Sequence, residues 1–236
     1  MIKSFDKILF LDIETVPIYK SYNEAPLEFQ KLWDKKSKYI VKDNQTSEEV
    51  YSRAGIYAEF GKIICIAFGM ISEKKNKRLA RISAYYGDDE KKILQDFADL
   101  INRINKSNGF YLCAHNGKEF DFPYICRRML INGIKLPEVL KISGSKPWEN
   151  PFLDTLELWK FGDYKHYTSL ELLTYLFGIP SPKNDIDGSM VYGVYWNEKD
   201  IERIVKYCKN DVIAVMQLYL RMNEEEIIAD NDIEII

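Results

Sequence analysis

The ten residues ILFLDIETVP, Ile8 to Pro17, constrain the fold more than any other stretch. Four consecutive apolar residues read as a core strand, and they run straight into Asp12, Ile13 and Glu14. Alternate residues of a strand share a face, so Asp12 and Glu14 project from the same side as Ile8 and Phe10. Two carboxylates side by side repel, and a buried carboxylate costs free energy unless something compensates it. Either the strand has ended and both acids are solvated in a loop, or a divalent cation sits between them. The remainder of the chain has to decide.

A chain of 236 residues suffices for one large domain with its own core, or at most two small ones. No window has the long uncharged apolar run of a membrane span. Asp6 and Lys7 stand where a signal peptide would be apolar. The cysteines Cys65, Cys113, Cys126 and Cys208 form no CxxC pair, so they read as free thiols in a reducing cytoplasm rather than a zinc site. The net charge of −3 is unevenly spread: six acids fall in residues 223–236, which hold no Lys or Arg. The body is therefore mildly basic, which permits a local phosphate-binding groove but does not point to tight duplex binding.

Strands are expected near 7–13, over Lys62–Ile71, over Leu79–Tyr86 and in GFYLCAHN, and SEKKNK is expected to be a hairpin turn. Helices are expected over Asp88–Ile104, from about Pro123, over SLELLTYLFG, and from Asn197 to about Met222. A meander of strands followed by alternating helices and strands predicts an α/β fold: a mixed sheet with helices on its faces.

Two further features carry acids. In AHNGKEFDFPYI a strand ends near His115-Asn116, and Asp121 follows; Asn-Gly is also an ordinary turn, and Asp121 could cap a helix. In the last helix the spacing from Ile204 and Cys208 carries on to 211 and 215. Asp211 therefore falls on the inward stripe, or at its edge reaching water, with Tyr207 one turn earlier. Four carboxylates from three separated segments can converge at the end of a sheet. Hard oxygen ligands suit Mg²⁺ or Mn²⁺, and two such ions clamp the attacking and leaving oxygens of a phosphodiester.

The order D-x-E, N-x₄-D-x-P, Y-x₃-D resembles the three motifs of DEDD-type (DnaQ-like) 3′–5′ exonucleases of the ribonuclease H-like fold, in the branch related to the proofreading domain of B-family DNA polymerases. Lys206 stands where the histidine subtype carries its His, and Tyr207 lies four residues before Asp211, so the chain resembles the tyrosine (DEDDy) subtype. The resemblance spans Ile8 to about Tyr219. It implies a central five-stranded mixed sheet flanked by helices and an exonuclease domain over 1–222 with an extra helical segment at 18–60; by composition the acidic tail at 223–236 is read as disordered, or as docking a partner through its Ile residues.

It also implies two Mg²⁺ or Mn²⁺ ions held by Asp12, Glu14, Asp121 and Asp211. Asp12 would bridge both, Glu14 and Asp211 would help hold the ion that activates water, Asp121 would support the second ion, and Tyr207 would orient the water. Thr15, Val16, Asn116 and Phe120 would contact the terminal nucleotide. Asp154 is a fifth acid or a helix cap, with the cap preferred. His166 reads as a surface or packed residue. KLWDKKSKYIVK interleaves Lys31, Lys35, Lys36, Lys38 and Lys42 with Trp33 and Tyr39, as either a single-strand track or a solvated helix face.

The expected activity is two-metal hydrolysis from the 3′ end of single-stranded nucleic acid, DNA first, releasing nucleoside 5′-monophosphates in a cytoplasmic repair setting. An RNA or short-oligonucleotide exonuclease, and a non-catalytic binding module, are the alternatives. Single-stranded DNA or RNA 3′ ends would be the partner, with no membrane.

Overall fold

The computed structural model describes residues 4–42, 44–74, 77–105, 109–144, 150, 152–163, 167–180 and 185–236. Its elements, in chain order, are β1 (Ile8–Pro17), α1 (Leu27–Ser37), β2 (Gly61–Lys74), β3 (Lys77–Tyr86), α2 (Glu90–Ile104), β4 (Tyr111–Ala114), α3 (Asp121–Ile131), β5 (Phe152–Asp154), α4 (Thr155–Lys160), α5 (Leu170–Leu176), α6 (Val191–Gly193), α7 (Ile201–Met222) and β6 (Ile233–Ile235). A mixed sheet of order β5-β4-β1-β2-β3-β6 forms the centre, and helices cover both faces, as in the ribonuclease H-like α/β class. The meander β1-β2-β3 is antiparallel; β4, β5 and β6 join in parallel.

The alternation in β1 sorts its side chains between two cores. Leu9, Leu11 and Ile13 pack with Phe97 of α2 and Ile125 and Met129 of α3. Ile8 and Phe10 pack on the other face with Val205, Val212, Val215, Met216 and Tyr219 of α7. Each such buried side chain contributes roughly 1.5–3 kcal/mol by leaving water, so β1 is fixed from both sides at the middle of the sheet. Its residues 12 and 14 share the α7 face with Ile8 and Phe10.

A buried ion pair clamps α3 to α2. Glu90 accepts from Arg128 Nε at 2.8 Å and Nη2 at 2.5 Å, from the Ile63 backbone at 2.7 Å and from Asn132 Nδ2 at 3.0 Å. Arg128 Nη1 donates to the Ala58 carbonyl at 2.9 Å. Every charged oxygen and most guanidinium hydrogens are thus satisfied, the condition under which a buried pair is tolerated.

The extra segment between β1 and β2 has its own small aromatic core. Trp33 is fully buried among Tyr51, Tyr57 and Phe60, and its Nε1 donates to the Ser47 carbonyl at 2.7 Å. That burial removes Trp33 from the proposed stacking track; Tyr39 remains exposed, and Lys36 lies over the Tyr57 ring. A 3₁₀ turn at Tyr51–Ile56 sits against the end of β1. A Cβ on Gly55 would come within 3.0 Å of the Val16 backbone, so this close approach requires glycine.

Three expectations need correction. The sheet has six strands, not five. The sixth, β6, comes from the acidic tail expected to be disordered: its acids meet the bases of β3, with Lys77–Asp232, Arg78–Glu225 and Arg81–Glu234 pairs at 2.6–2.8 Å. And α7 begins at Ile201 rather than Asn197, because a π-helical turn over Val194–Glu198 ends at Lys199 in the left-handed region (φ 57°) and Asp200 caps the new helix.

Candidate active site

Asp12 and Glu14 lie inside β1, not beyond its end: pairing with β2 continues to Pro17–Gly61, past the expected stop near residue 13. Pairing with β4, however, covers only Ile8–Phe10. Beyond it β1 has an open flank, and the register with β2 shifts between Glu14 and Thr15. Both acids sit in this opening. The Ile13 N–H, with no β4 partner at that level, donates instead to Asp121 Oδ1 at 3.2 Å.

Asp121 is 3% exposed and occupies the first turn of α3, where the helix dipole favours a carboxylate. The helix start is fixed by the turn before it. Asn116 is left-handed (φ 59°), and a Cβ on Gly117 would come within 2.4 Å of Ala114 Cβ, so the Asn-Gly pair is required by the backbone path. Asp211 lies on α7 one turn after Tyr207, whose side chain acts to lower its carboxyl. Cys208, between them, donates its thiol to Asp12 Oδ2 at 3.2 Å and to the Asp12 carbonyl at 3.4 Å.

The four carboxylates act on one another. Burial pushes Asp12 well above the usual carboxylate range, and the charges of Glu14, Asp121 and Asp211 push it further, against the Cys208 thiol. Burial, then Asp211, Cys65 and Asp121, raise Glu14, which is 8% exposed. Burial raises Asp121 to about 7, opposed by backbone N–H donors that include Ile13. Burial raises Asp211 to about 6, opposed by Tyr207. Tyr207 itself is driven far upward by burial, then by Asp211, Glu14 and Asp12, so its phenol stays protonated. No ion pair among the described residues involves any of the four acids.

Sheltered, mutually repelling carboxylates with no cationic partner among the described residues fit a bound divalent cation. Ligand atoms of Asp12, Glu14 and Cys208 lie within 4.8 Å of one another. Oxygen donors suit a hard ion. Burial raises the Cys208 thiol far above its ordinary range, so it serves as a hydrogen-bond donor to Asp12 rather than as a thiolate ligand.

The secondary candidates divide. Thr15 Oγ1 donates to the Gly55 carbonyl at 2.8 Å, beside the opening. Val16 is fully buried with Ile64 and Val194, which corrects its assignment to the terminal sugar: no surface of it is free. Phe120 is half-buried against Tyr124. Asp154 is a cap: it accepts from Leu156 and Glu157 of α4 and also from the Asn116 and Lys118 backbone, tying the turn before α3 to β5. His166 lies outside the described residues. His115 is neutral, lowered by burial; its Nε2 donates to the Thr168 carbonyl at 3.0 Å and its Nδ1 accepts from Thr155 Oγ1 at 2.9 Å.

Two residues near the acids escaped the sequence reading. Cys208 was visible only as a buried thiol, although its position three residues before Asp211 places it on the inward stripe. Tyr167 lies in a segment without periodicity, and only its contact with His115 reveals it.

Fold and site together define an α/β protein of the exonuclease type, with a strand-borne acid pair joined by acids from two helices. The chain belongs to a family of predicted 3′-5′ exonucleases related to the exonuclease domain of PolB, whose model matches residues 56–231. The matched span includes Asp121, Tyr207 and Asp211 and begins after β1, so it is the fold that brings Asp12 and Glu14 to them. No curated protein matches the chain.

Proposed function

We propose that this protein is a two-metal 3′–5′ exonuclease that removes nucleoside 5′-monophosphates from the 3′ end of single-stranded nucleic acid, DNA first. The observation that carries the reading is the Asp12–Glu14 pair, grouped within 4.8 Å with Cys208, with Asp121 bonded to the Ile13 N–H between them and no ion-pair partner of these acids among the described residues; the charges of Asp121 and Asp211 raise both. Mg²⁺ or Mn²⁺ bound there would offset the repulsion, lower the pKa of a water and neutralise charge on the phosphate.

The chain's own groups do the rest. Asp12, central in the cluster, would hold both ions; Glu14 and Asp211 would flank one and Asp121 the other. Tyr207 keeps its proton through the neutral range, so it acts as a donor that orients the attacking water, not as a base. Cys208 and the Ile13 N–H fix Asp12 and Asp121 before substrate arrives. The bond that breaks joins phosphorus to the 3′ oxygen of the penultimate nucleotide. Thr15, Asn116 and Phe120, around the opening, are the contacts proposed for the terminal nucleotide.

The test is digestion of 5′-labelled single-stranded DNA and RNA with Mg²⁺ or Mn²⁺. A ladder shortening from the 3′ end, lost in EDTA and in Asp12→Ala, is expected. Faster RNA than DNA cleavage would reassign the substrate to the exoribonuclease alternative. Binding without any cleavage by the intact protein would make it a nucleic-acid-binding module. Full activity in excess EDTA would overturn the metal reading.

A further inference from the structure

We propose that Lys62 is a positioning residue: it anchors the π-helical turn ahead of α7 to the sheet, and that anchor sets where Tyr207 stands in the acid site. This rests on the role given to Tyr207 above.

Lys62 is the second residue of β2 and the cross-strand partner of Val16. Facing residues of paired strands project to the same side of a sheet. Lys62 therefore stands on the side where Val16 packs with Ile64, Val194 and Ile204. The side chain is half-buried there, and its ammonium has aromatic partners. Nζ donates to the Tyr195 hydroxyl at 2.8 Å. It also lies 5.0 Å from the centre of the Tyr195 ring and 5.2 Å from that of Trp196, both within cation–π range. The Tyr195 hydroxyl donates onward to Asp88 Oδ1 at 2.5 Å. Asp88 stands between β3 and α2, so two separate segments hold the same phenol.

Tyr195 and Trp196 are the second and third residues of the π turn over Val194–Glu198. Such turns are rare and occur frequently at functional sites. This one ends at the left-handed Lys199, and α7 starts immediately beyond it. Tyr207 follows Ile201 by six residues, about 9 Å along the helix axis at 1.5 Å per residue. Over so short a stretch a helix moves as one body. The link is also direct, because Tyr207 and Trp196 both pack against the cluster that holds Val194, Tyr195 and Ile204.

The ammonium is turned into these rings, so it holds the turn rather than neutralising a phosphate. The acids keep contacts of their own that do not pass through Lys62: Asp121 with the Ile13 N–H, and Asp12 with the Cys208 thiol. Loss of Lys62 should therefore shift the phenol and leave the cation ligands in place.

The experiment is a double-mutant cycle in single-turnover rate, at saturating Mn²⁺ and saturating strand, on whichever single-stranded nucleic acid the parent cleaves. Lys62→Met keeps the aliphatic stem and removes the charge. It is expected to slow cleavage about tenfold, within the roughly 10²-fold that a 1 Å misplacement can cost. Strand affinity in Ca²⁺ and Mn²⁺ affinity should hold. In the Tyr207→Phe background the same change should cost less than about twofold, because no hydroxyl is left to misplace. Tyr195→Phe loses only the shared hydroxyl and should show a milder loss with the same dependence on Tyr207; it carries the test if Lys62→Met does not fold. Losses that multiply across the two sites would show that Lys62 acts independently of Tyr207 and would overturn the proposal. So would unchanged rates in both variants, or a loss confined to strand affinity, which would make Lys62 a phosphate contact. A Tyr207→Phe variant as fast as the parent removes the role of Tyr207 and this proposal with it. A parent that does not cleave overturns the exonuclease reading itself; a parent that cleaves and depends on Tyr207, beside inert Lys62→Met and Tyr195→Phe, overturns the present proposal alone.

Discussion

Removal of one acid from the cluster should stabilise the metal-free protein, by an amount that follows from the pKa of Asp211. Its carboxyl rises from an ordinary value of 3.8 to about 6 in the folded state, principally through burial. A group whose folded pKa lies above its unfolded value gives stability that is fully present below about pH 4 and is lost as pH rises through about 6. Each pKa unit is worth about 1.4 kcal/mol, so by pH 8 ionising Asp211 alone costs roughly 3 kcal/mol. Asp211→Asn abolishes that cost, keeps an acceptor for the Tyr207 hydroxyl, and also relieves Asp12 and Glu14, both raised by Asp211. In EDTA the variant should therefore exceed the parent in unfolding free energy by about 3 kcal/mol at pH 8 and by little at pH 4. Urea titrations at the two pH values measure it. Taking the difference between proteins cancels His115, whose lowered pKa gives the opposite slope. Saturating Mn²⁺ should erase or reverse the gap, because binding at 100 times Kd adds about 2.7 kcal/mol to the parent only. A variant that is less stable than the parent at pH 8 in EDTA would show that Asp211 is a structural residue, and the argument for a cation site would fail.

Tyr207→Phe should lower single-turnover cleavage about tenfold to a thousandfold while stability and Mn²⁺ affinity hold; an unchanged rate would make Tyr207 a packing residue. Glu90→Ala leaves the buried guanidinium of Arg128 without its partner and should cost about 3–5 kcal/mol, measured by denaturant unfolding, with Glu90 itself far too sheltered to affect substrate directly. Cys208→Ala removes a donor to Asp12 and should weaken Mn²⁺ binding several-fold in calorimetry, with a stability loss near 1 kcal/mol; Cys208→Ser, which keeps a donor, should recover most of the affinity.

The legible parts of the sequence were those where a local pattern coincides with a burial requirement. ILFLDIETVP could be read because a run of apolar side chains must be covered on both faces, and its acids because their burial conflicts with that requirement. Asp211 could be read because helical spacing aligns it with Cys208 and Val215. What escaped depended on long-range pairing. β5 is three residues long and exists because β4 offers it an edge. β6 looks like an acidic tail until the bases of β3 are set beside it. Trp33 suited a stacking surface by composition alone, but aromatic residues from three later positions enclose it. The length of β1 was underestimated because Glu14 and Thr15 signal a loop locally, while hydrogen bonding to β2 keeps them in the sheet.

The hydrogen bond from Cys208 to Asp12 joins residues 196 positions apart, and that span has a consequence for synthesis. A chain emerging vectorially from a ribosome displays Asp12 and Glu14 well before Tyr207, Cys208 and Asp211. Long-range contacts of this kind form late, since the loop they close must be ordered first. Between those two points the nascent chain carries the Asp12 and Glu14 pair without the Cys208 donor that steadies Asp12. The acid cluster is completed only when α7 docks on the sheet. Fragments that stop before that helix are expected to show no cleavage in the nuclease assay, however well their sheet is formed.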